Sequence, residues 1–232
     1  MKANTFQIRL CENPSCGLRY PLVENSSFGE RCPACLGTTR MVITSPLETE
    51  PWAPTYRMEF PPIEPLLDSI RSAWNVGAIF RTADGFGIKK LHLCGITPTP
   101  ATADLRKTAL GAEKTIPWTY GRNSLQAGKD LKKAGYLLWA LECDSRAIPI
   151  SEIKMPEIGS LRNRGVILIV GNEETGVDPD LLTLCDEIIY LPMRGTKRSF
   201  NVAVVFGITL HFLCFLLQQN ESSRNIEHTP NT

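Results

Sequence analysis

Four cysteines near the start of the chain, Cys11-x4-Cys16 and Cys32-x2-Cys35, form its densest set of potential metal ligands. Two turn-borne pairs separated by fifteen residues match the spacing of a four-thiolate zinc ribbon, and each pair lies beside turn formers, Pro14 with Gly17 and Pro33 with Gly37. Ribbon knuckles usually hold two residues between ligands. The first pair here has four, a looser turn that still allows tetrahedral closure. Residues 1–45 alone bury too little apolar surface to fold, whereas a structural zinc contributes on the order of 10 kcal/mol. Thiolate at all four positions leaves no place for a reactive water, so the metal would be structural. Two disulfides, or four reduced structural cysteines, are the alternatives. Disulfides are disfavoured because the N-terminal MKANTFQIRLCEN has no apolar signal core, which reads as a cytosolic protein. The remaining cysteines, Cys94, Cys143, Cys185 and Cys214, are scattered through apolar contexts and make no pattern.

Two loops further on have the composition of ligand sites. GVILIV at 165–170 reads as a buried strand and ends directly in Gly171-Asn172-Glu173-Glu174-Thr175-Gly176. In open α/β sheets ligands bind outside the carboxyl ends of strands, where glycine lets a ligand approach the backbone. The loop is neither a GxGxxG dinucleotide fingerprint nor a phosphate loop, and alone it is equally a plain turn. The second is IIYLPMRGTKRSFNVAV: a β-branched run stopped by Pro192, a basic loop (Arg194, Lys197, Arg198), then Ser199 before a long apolar run. Ser199 suits a helix N-cap, whose orphan amides and dipole favour polar or anionic ligands. Val202 to Leu217 is sixteen residues without a formal charge. Crossing a membrane takes about 20, so a buried core helix is expected and no membrane association.

These loops need a scaffold, and the 232-residue length with 43% apolar content allows one α/β domain plus a small module. Prolines at 46, 51, 54, 61, 62 and 65 read as a semi-rigid linker that can form neither a helix interior nor a central strand. The expected domains are a ribbon at 1–45, a linker at 46–62, a second domain at 63–218 and a disordered polar tail at 219–232. In the second domain the pattern predicts strands at 63–70, 90–94, 116–120, 136–142, 165–170 and 188–191. Helices are predicted at 75–85, capped by Asn75, at 104–112, at 124–134 and from Ser199 onward. Such alternation gives a parallel sheet covered by helices. Net charge is +1, so a nucleic-acid surface would have to be a local basic patch.

Taken in order and spacing, NVGAIFRTADGFG, LIVGNEETGVDPDLLTLCDE and YLPMRGTKRSFNVAV resemble the three motifs of the SpoU/TrmH family of RNA ribose 2'-O-methyltransferases, and KTALGAEKTIPW resembles an accessory segment. The resemblance covers residues 63–217. It implies the SPOUT fold, an α/β domain whose C-terminal strand, loop and helix form a trefoil knot. It also implies S-adenosylmethionine as cofactor, tRNA or rRNA as partner and a homodimer, alongside the cytoplasmic location read from the N-terminus. Carried over by position, Gly171, Leu191 and Phe200 would border the cofactor, with Phe200 standing where the family usually has leucine. Asn75, Arg81, Glu173, Ser199 and Asn201 would form the catalytic centre, with Arg81 acting on the 2'-OH. Guanidinium is too weak an acid to serve readily as a base, so an arginine that orients the hydroxyl and stabilises developing alkoxide is the favoured reading. A non-catalytic RNA-binding or ribosome-assembly protein of the same fold is the alternative. A zinc-ribbon adaptor would account only for the first 45 residues.

Overall fold

The computed structural model describes residues 5–23, 30–47, 63–153 and 165–227, with side chains to Leu216. The chain divides into two compact units, Met1–Met58 and Glu59–Thr232.

In the first unit β1 (Thr5–Cys11) is the centre of an antiparallel sheet between β2 (Arg19–Val23) and β3 (Thr39–Pro46). Cys11 ends β1, and the turn after it is built on Asn13, whose carbonyl accepts from the amides of Cys16 (2.9 Å) and Gly17 (3.0 Å). The second knuckle has the same closure, Leu36 N–H to Cys32 O at 2.8 Å, and Gly17 and Leu36 both adopt positive φ. Asn13-Pro14-Ser15-Cys16-Gly17 therefore copies Cys32-Pro33-Ala34-Cys35-Leu36 as a turn. The four-residue gap arises because Asn13 holds the place of a cysteine and Cys11, two residues earlier, brings the fourth sulfur.

In the second unit seven parallel strands lie in the order β6-β5-β4-β9-β7-β10-β8. They are β4 (Ile63–Asp68), β5 (Leu91–Cys94), β6 (Trp118–Gly121), β7 (Leu137–Leu141), β8 (Ile148–Pro149), β9 (Val166–Val170) and β10 (Glu187–Tyr190). Alternate residues of β9 serve opposite cores. Val166, Leu168 and Val170 pack with α1 (Ala73–Gly85) and α6 (Val202–Glu227), through Ile79, Phe80, Phe206 and Leu210. Ile167 and Ile169 pack on the other face with α5 (Pro179–Leu184), through Leu181 and Leu182, and with α4 (Ser124–Lys133), through Leu125. A strand buried on both faces has to be apolar throughout, which is why GVILIV shows no alternation.

Four expectations are corrected. Pro65 lies inside central strand β4, opposite Leu168 of β9; the β5 ladder begins only at Leu66, which leaves an unpaired side for the missing N–H. The helix expected at 104–112 is two, α2 (Ala103–Ala109) and α3 (Ala112–Thr115), because Leu110 and Gly111 both adopt positive φ and break it. Short β8 and α5 add to the predicted elements. Finally, α6 runs to Glu227, not to Leu217, since Gln218, Gln219, Glu221 and Arg224 readily extend a helix already nucleated. The polar tail therefore does not begin at 219, and residues 228–232 and linker residues 48–62 lie outside the described residues. No helix among the described residues is long and apolar enough to cross a membrane.

Candidate active site

The carboxyl ends of β9, β7 and β10 converge on a cleft of about 510 Å³. Loop 171–176 forms one wall. Asn172 shapes it: its Oδ1 accepts from the amides of Glu174 (2.9 Å) and Thr175 (3.2 Å), and its Nδ2 donates to Ser69 O (2.7 Å). The loop folds back so that Asn172 and Gly176 exchange backbone hydrogen bonds at 3.0 and 2.9 Å. A Cβ on Gly171 would collide with the backbone of Gly176 and Val177, so this glycine is required by the loop's own closure. Gly171 from one stretch and Leu191 and Phe200 from another all line the cleft, together with Ser199 and Asn201.

Both helix caps differ from expectation. Ser72, not Asn75, caps α1, accepting from Asn75 N–H at 3.3 Å. Asn201, not Ser199, caps α6: its Oδ1 accepts from Ala203 (2.9 Å) and Val204 (3.3 Å), and its carbonyl from Val205 (3.0 Å). Asn ranks at least level with Ser as a cap, and here it stands directly before Val202. Ser199 is left exposed on the cleft wall.

With its oxygen committed to those amides, the Asn201 side chain has only its nitrogen to offer. Nδ2 donates to Asn75 Oδ1 at 3.0 Å, so Asn75 Nδ2 must in turn donate, and it does so to Glu173 Oε1 at 2.9 Å. Glu173 further accepts from the amides of Ser72 (3.1 Å) and Arg71 (2.8 Å). Desolvation of this carboxylate raises its pKa, but the Arg71 amide, the Asn75 side chain and the Ser72 amide more than offset that, and the pKa lies below the ordinary value. One hydrogen-bonded chain thus ties loop 171–176, the start of α1 and the start of α6. Glu173 holds backbone, and the Arg71 guanidinium pairs instead with Glu174.

Two predicted catalytic residues stand outside this hydrogen-bonded chain, Ser199, which lines the cleft, and Arg81. Arg81 lies six residues beyond Asn75 on α1, about 9 Å along the axis, exposed and without a hydrogen-bond partner among the described residues. Glu142 was missed by sequence reasoning: at the end of β7 it lines the cleft and accepts from the Cys143 (2.9 Å) and Val177 (3.0 Å) amides. An acid closing the apolar run LLWAL was its signal.

In the first unit, the sulfurs of Cys11, Cys16, Cys32 and Cys35 all lie within 4.8 Å of one another, with 3.4 Å for Cys11 to Cys35 and 3.7 Å for Cys16 to Cys32. Tetrahedral zinc with Zn–S of about 2.3 Å requires edges of about 3.8 Å, so the four thiols fit that geometry. Amide hydrogen bonds, the Cys35 N–H foremost, lower the Cys32 pKa to about 7, while desolvation pushes Cys11 up to about 12.

Residues 64–211 match the SpoU rRNA Methylase family. Among similar proteins, the 23S rRNA (guanosine-2'-O-)-methyltransferase RlmB of Neisseria meningitidis serogroup B is 30% identical over 151 residues, 65% of this chain and 57% of the relative. The tRNA (guanosine(18)-2'-O)-methyltransferase of Escherichia coli K12 is 26% identical over 151 residues, 65% of this chain and 62% of the relative. The matched part thus spans less than two thirds of these relatives' length. Among solved structures, an AdoMet-bound rRNA methyltransferase from Sinorhizobium meliloti superposes with a TM-score of 0.61 at 25% identity, covering 67% of this chain and 57% of that one. The A. aeolicus TrmH/SpoU tRNA modifying enzyme shares the fold, with a TM-score of 0.58 at 23% identity over 73% of this chain and 80% of that one.

Proposed function

Because the chain belongs to the SpoU rRNA methylase family, we propose that it is an S-adenosylmethionine-dependent methyltransferase acting on a ribose 2'-OH in tRNA or rRNA, in the cytoplasm. The observation that carries this is the hydrogen-bonded chain Glu173–Asn75–Asn201, which joins all three motif segments at the rim of one cleft. The names of the relatives support ribose methylation, and the AdoMet-bound relative supports the cofactor.

The cleft suits such a cofactor. Its backbone-rich loop 171–176 offers amides and carbonyls, Leu191, Met193 and Phe200 offer apolar surface, and about 510 Å³ is ample for a nucleoside joined to an amino acid. Gly171, Leu191 and Phe200 would border it, the last two from a loop threaded as a trefoil knot. When bound, S-adenosylmethionine supplies an electrophilic methyl group, its C–S electron pair leaving with sulfur as the C–O bond forms. The protein's share is alignment and charge. Asn75 and Asn201 are locked in one orientation and hold the starts of α1 and α6. Glu173 fixes the loop. Ser199, exposed and uncommitted, contacts the ribose. Arg81, without a hydrogen-bond partner among the described residues, orients the hydroxyl through a neighbouring phosphate and stabilises negative charge on O2' as the proton passes to solvent water.

The four cysteines hold a structural zinc, and the ribbon is an RNA-binding appendage. The chain forms a homodimer through α6, where Val204, Ile208 and Phe215 are 51%, 43% and 45% exposed along one stripe.

The test is twofold. Calorimetry on the pure protein should show binding of S-adenosylmethionine or its demethylated product without RNA; no binding at millimolar ligand sinks the cofactor reading. Ribose-methylation maps of total RNA from cells with and without the protein should differ at a discrete nucleotide, and identical maps would oppose the proposed activity.

A further inference from the structure

A second cavity, about 490 Å³, shares Asn172, Thr175 and Gly176 with the cofactor cleft and is bounded across from them by the end of β6 and the start of α4. Its lining there is rich in unspent donors. Arg122 is exposed and has no hydrogen-bond partner among the described residues. Ser124 is 9% exposed as a residue, and its hydroxyl, without a hydrogen-bond partner among the described residues, is open to the cavity it lines. Asn123 caps α4, its Oδ1 accepting from Gln126 N–H (2.9 Å) and its carbonyl from Ala127 N–H (3.1 Å). The first two amides of the helix, those of Ser124 and Leu125, have no partner among the described residues at its positive end. Two carboxylates also line the cavity, but each is turned to backbone: Asp68 accepts from Asp178 N–H at 2.8 Å, and Asp178 from Asp180 N–H at 2.8 Å and Leu181 N–H at 3.2 Å.

We propose that this cavity is a phosphodiester subsite: the Arg122 guanidinium, the Ser124 hydroxyl and the free amides of α4 hold a backbone phosphate of the RNA strand flanking the target ribose. A guanidinium fork, an unpartnered hydroxyl and a helix N-terminus form the donor set that phosphate binding uses. Loop 171–176, common to both cavities, lets one strand address both at once. Such a contact positions the RNA and carries no base specificity. The inference rests on the RNA reading above, and its test separates the two.

Full-length protein is titrated into a fluorescein-labelled 20-nucleotide single-stranded RNA of mixed sequence, with anisotropy followed across a salt series. Arg122→Ala should weaken binding about tenfold at low salt and reduce the slope of log K against log salt by about 0.7 to 1. Ser124→Asp puts a carboxylate where phosphate would lie, while an acid at the first helical position favours the helix. It should weaken RNA binding at least as much with the melting temperature kept. Both variants should bind S-adenosylmethionine like the wild type. Variants with wild-type RNA affinity and salt slope overturn the subsite alone. A wild type that binds S-adenosylmethionine but no RNA overturns the RNA reading and the subsite with it.

Discussion

Both ends of the Asn75 amide are committed, one to Asn201 and the other to Glu173, which makes Asn75 the joint between segments 98 and 126 residues distant in sequence. Glu173 brings two oxygens to three donors, so Glu173→Gln would place an NH2 group against one of them. Its folded pKa is depressed, so its contribution to stability is present above the unfolded value of about 4.3 and is lost as pH falls through the lower folded pKa. The melting temperatures of wild type and Glu173→Gln should therefore differ at pH 7 and converge towards pH 3. A constant difference across that range would show that the charge is immaterial. Arg81 differs in that none of the described residues hydrogen-bonds to it. Arg81→Ala should keep fold and cofactor affinity but lose at least about a hundredfold in single-turnover methyl transfer, on the order of 3 kcal/mol. Arg81→Lys should fail nearly as badly, since a point ammonium cannot bridge phosphate and hydroxyl as a planar fork does; near-normal rates with lysine would make Arg81 an ordinary surface residue. The five proposed catalytic residues, Asn75, Arg81, Glu173, Ser199 and Asn201, are nominated only by motif order. Taken singly, Ser199 and Asn201 both look like caps, and spacing could not say which of them the helix would take, nor that Ser72 would free Asn75.

Among elements, the buried strands and the long helix were legible because their apolar runs have no other stable use, as in β9, where five consecutive residues are buried. Sheet order was not, because it is set by pairings such as Leu67 with Val170, which no local pattern encodes. The division of α2 from α3 hid behind Leu110, a non-glycine residue at positive φ. The cluster of four cysteines was legible in their spacing, but the role of Asn13 as a stand-in for one of them needed the turn geometry. Four convergent thiols with little core around them predict one tightly held zinc per chain. Cys32→Ser should unfold the ribbon, read as loss of zinc and of amide protection in β1 to β3, while the unit from residue 63 keeps its melting transition. Elemental analysis that finds no zinc in protein purified under reducing, metal-replete conditions would contradict the metal.

For the molecule as a whole, apolar residues that the second unit leaves in water make the case for self-association. Val204, Ile208 and Phe215 fall within a narrow arc of α6, and a stripe of this kind is normally covered. Ile208→Glu should shift the mass measured by light scattering from dimer to monomer without loss of helix content; a wild-type monomer at micromolar concentration would refute the dimer. The central claim is chemical, and it is tested most directly by single-turnover transfer of labelled methyl from S-adenosylmethionine to the RNA identified by mapping, followed by digestion to nucleosides. The account predicts label in one 2'-O-methylated nucleoside with its base unmodified. Label on a base, or RNA and cofactor both bound with no methyl transferred to any RNA, would contradict it.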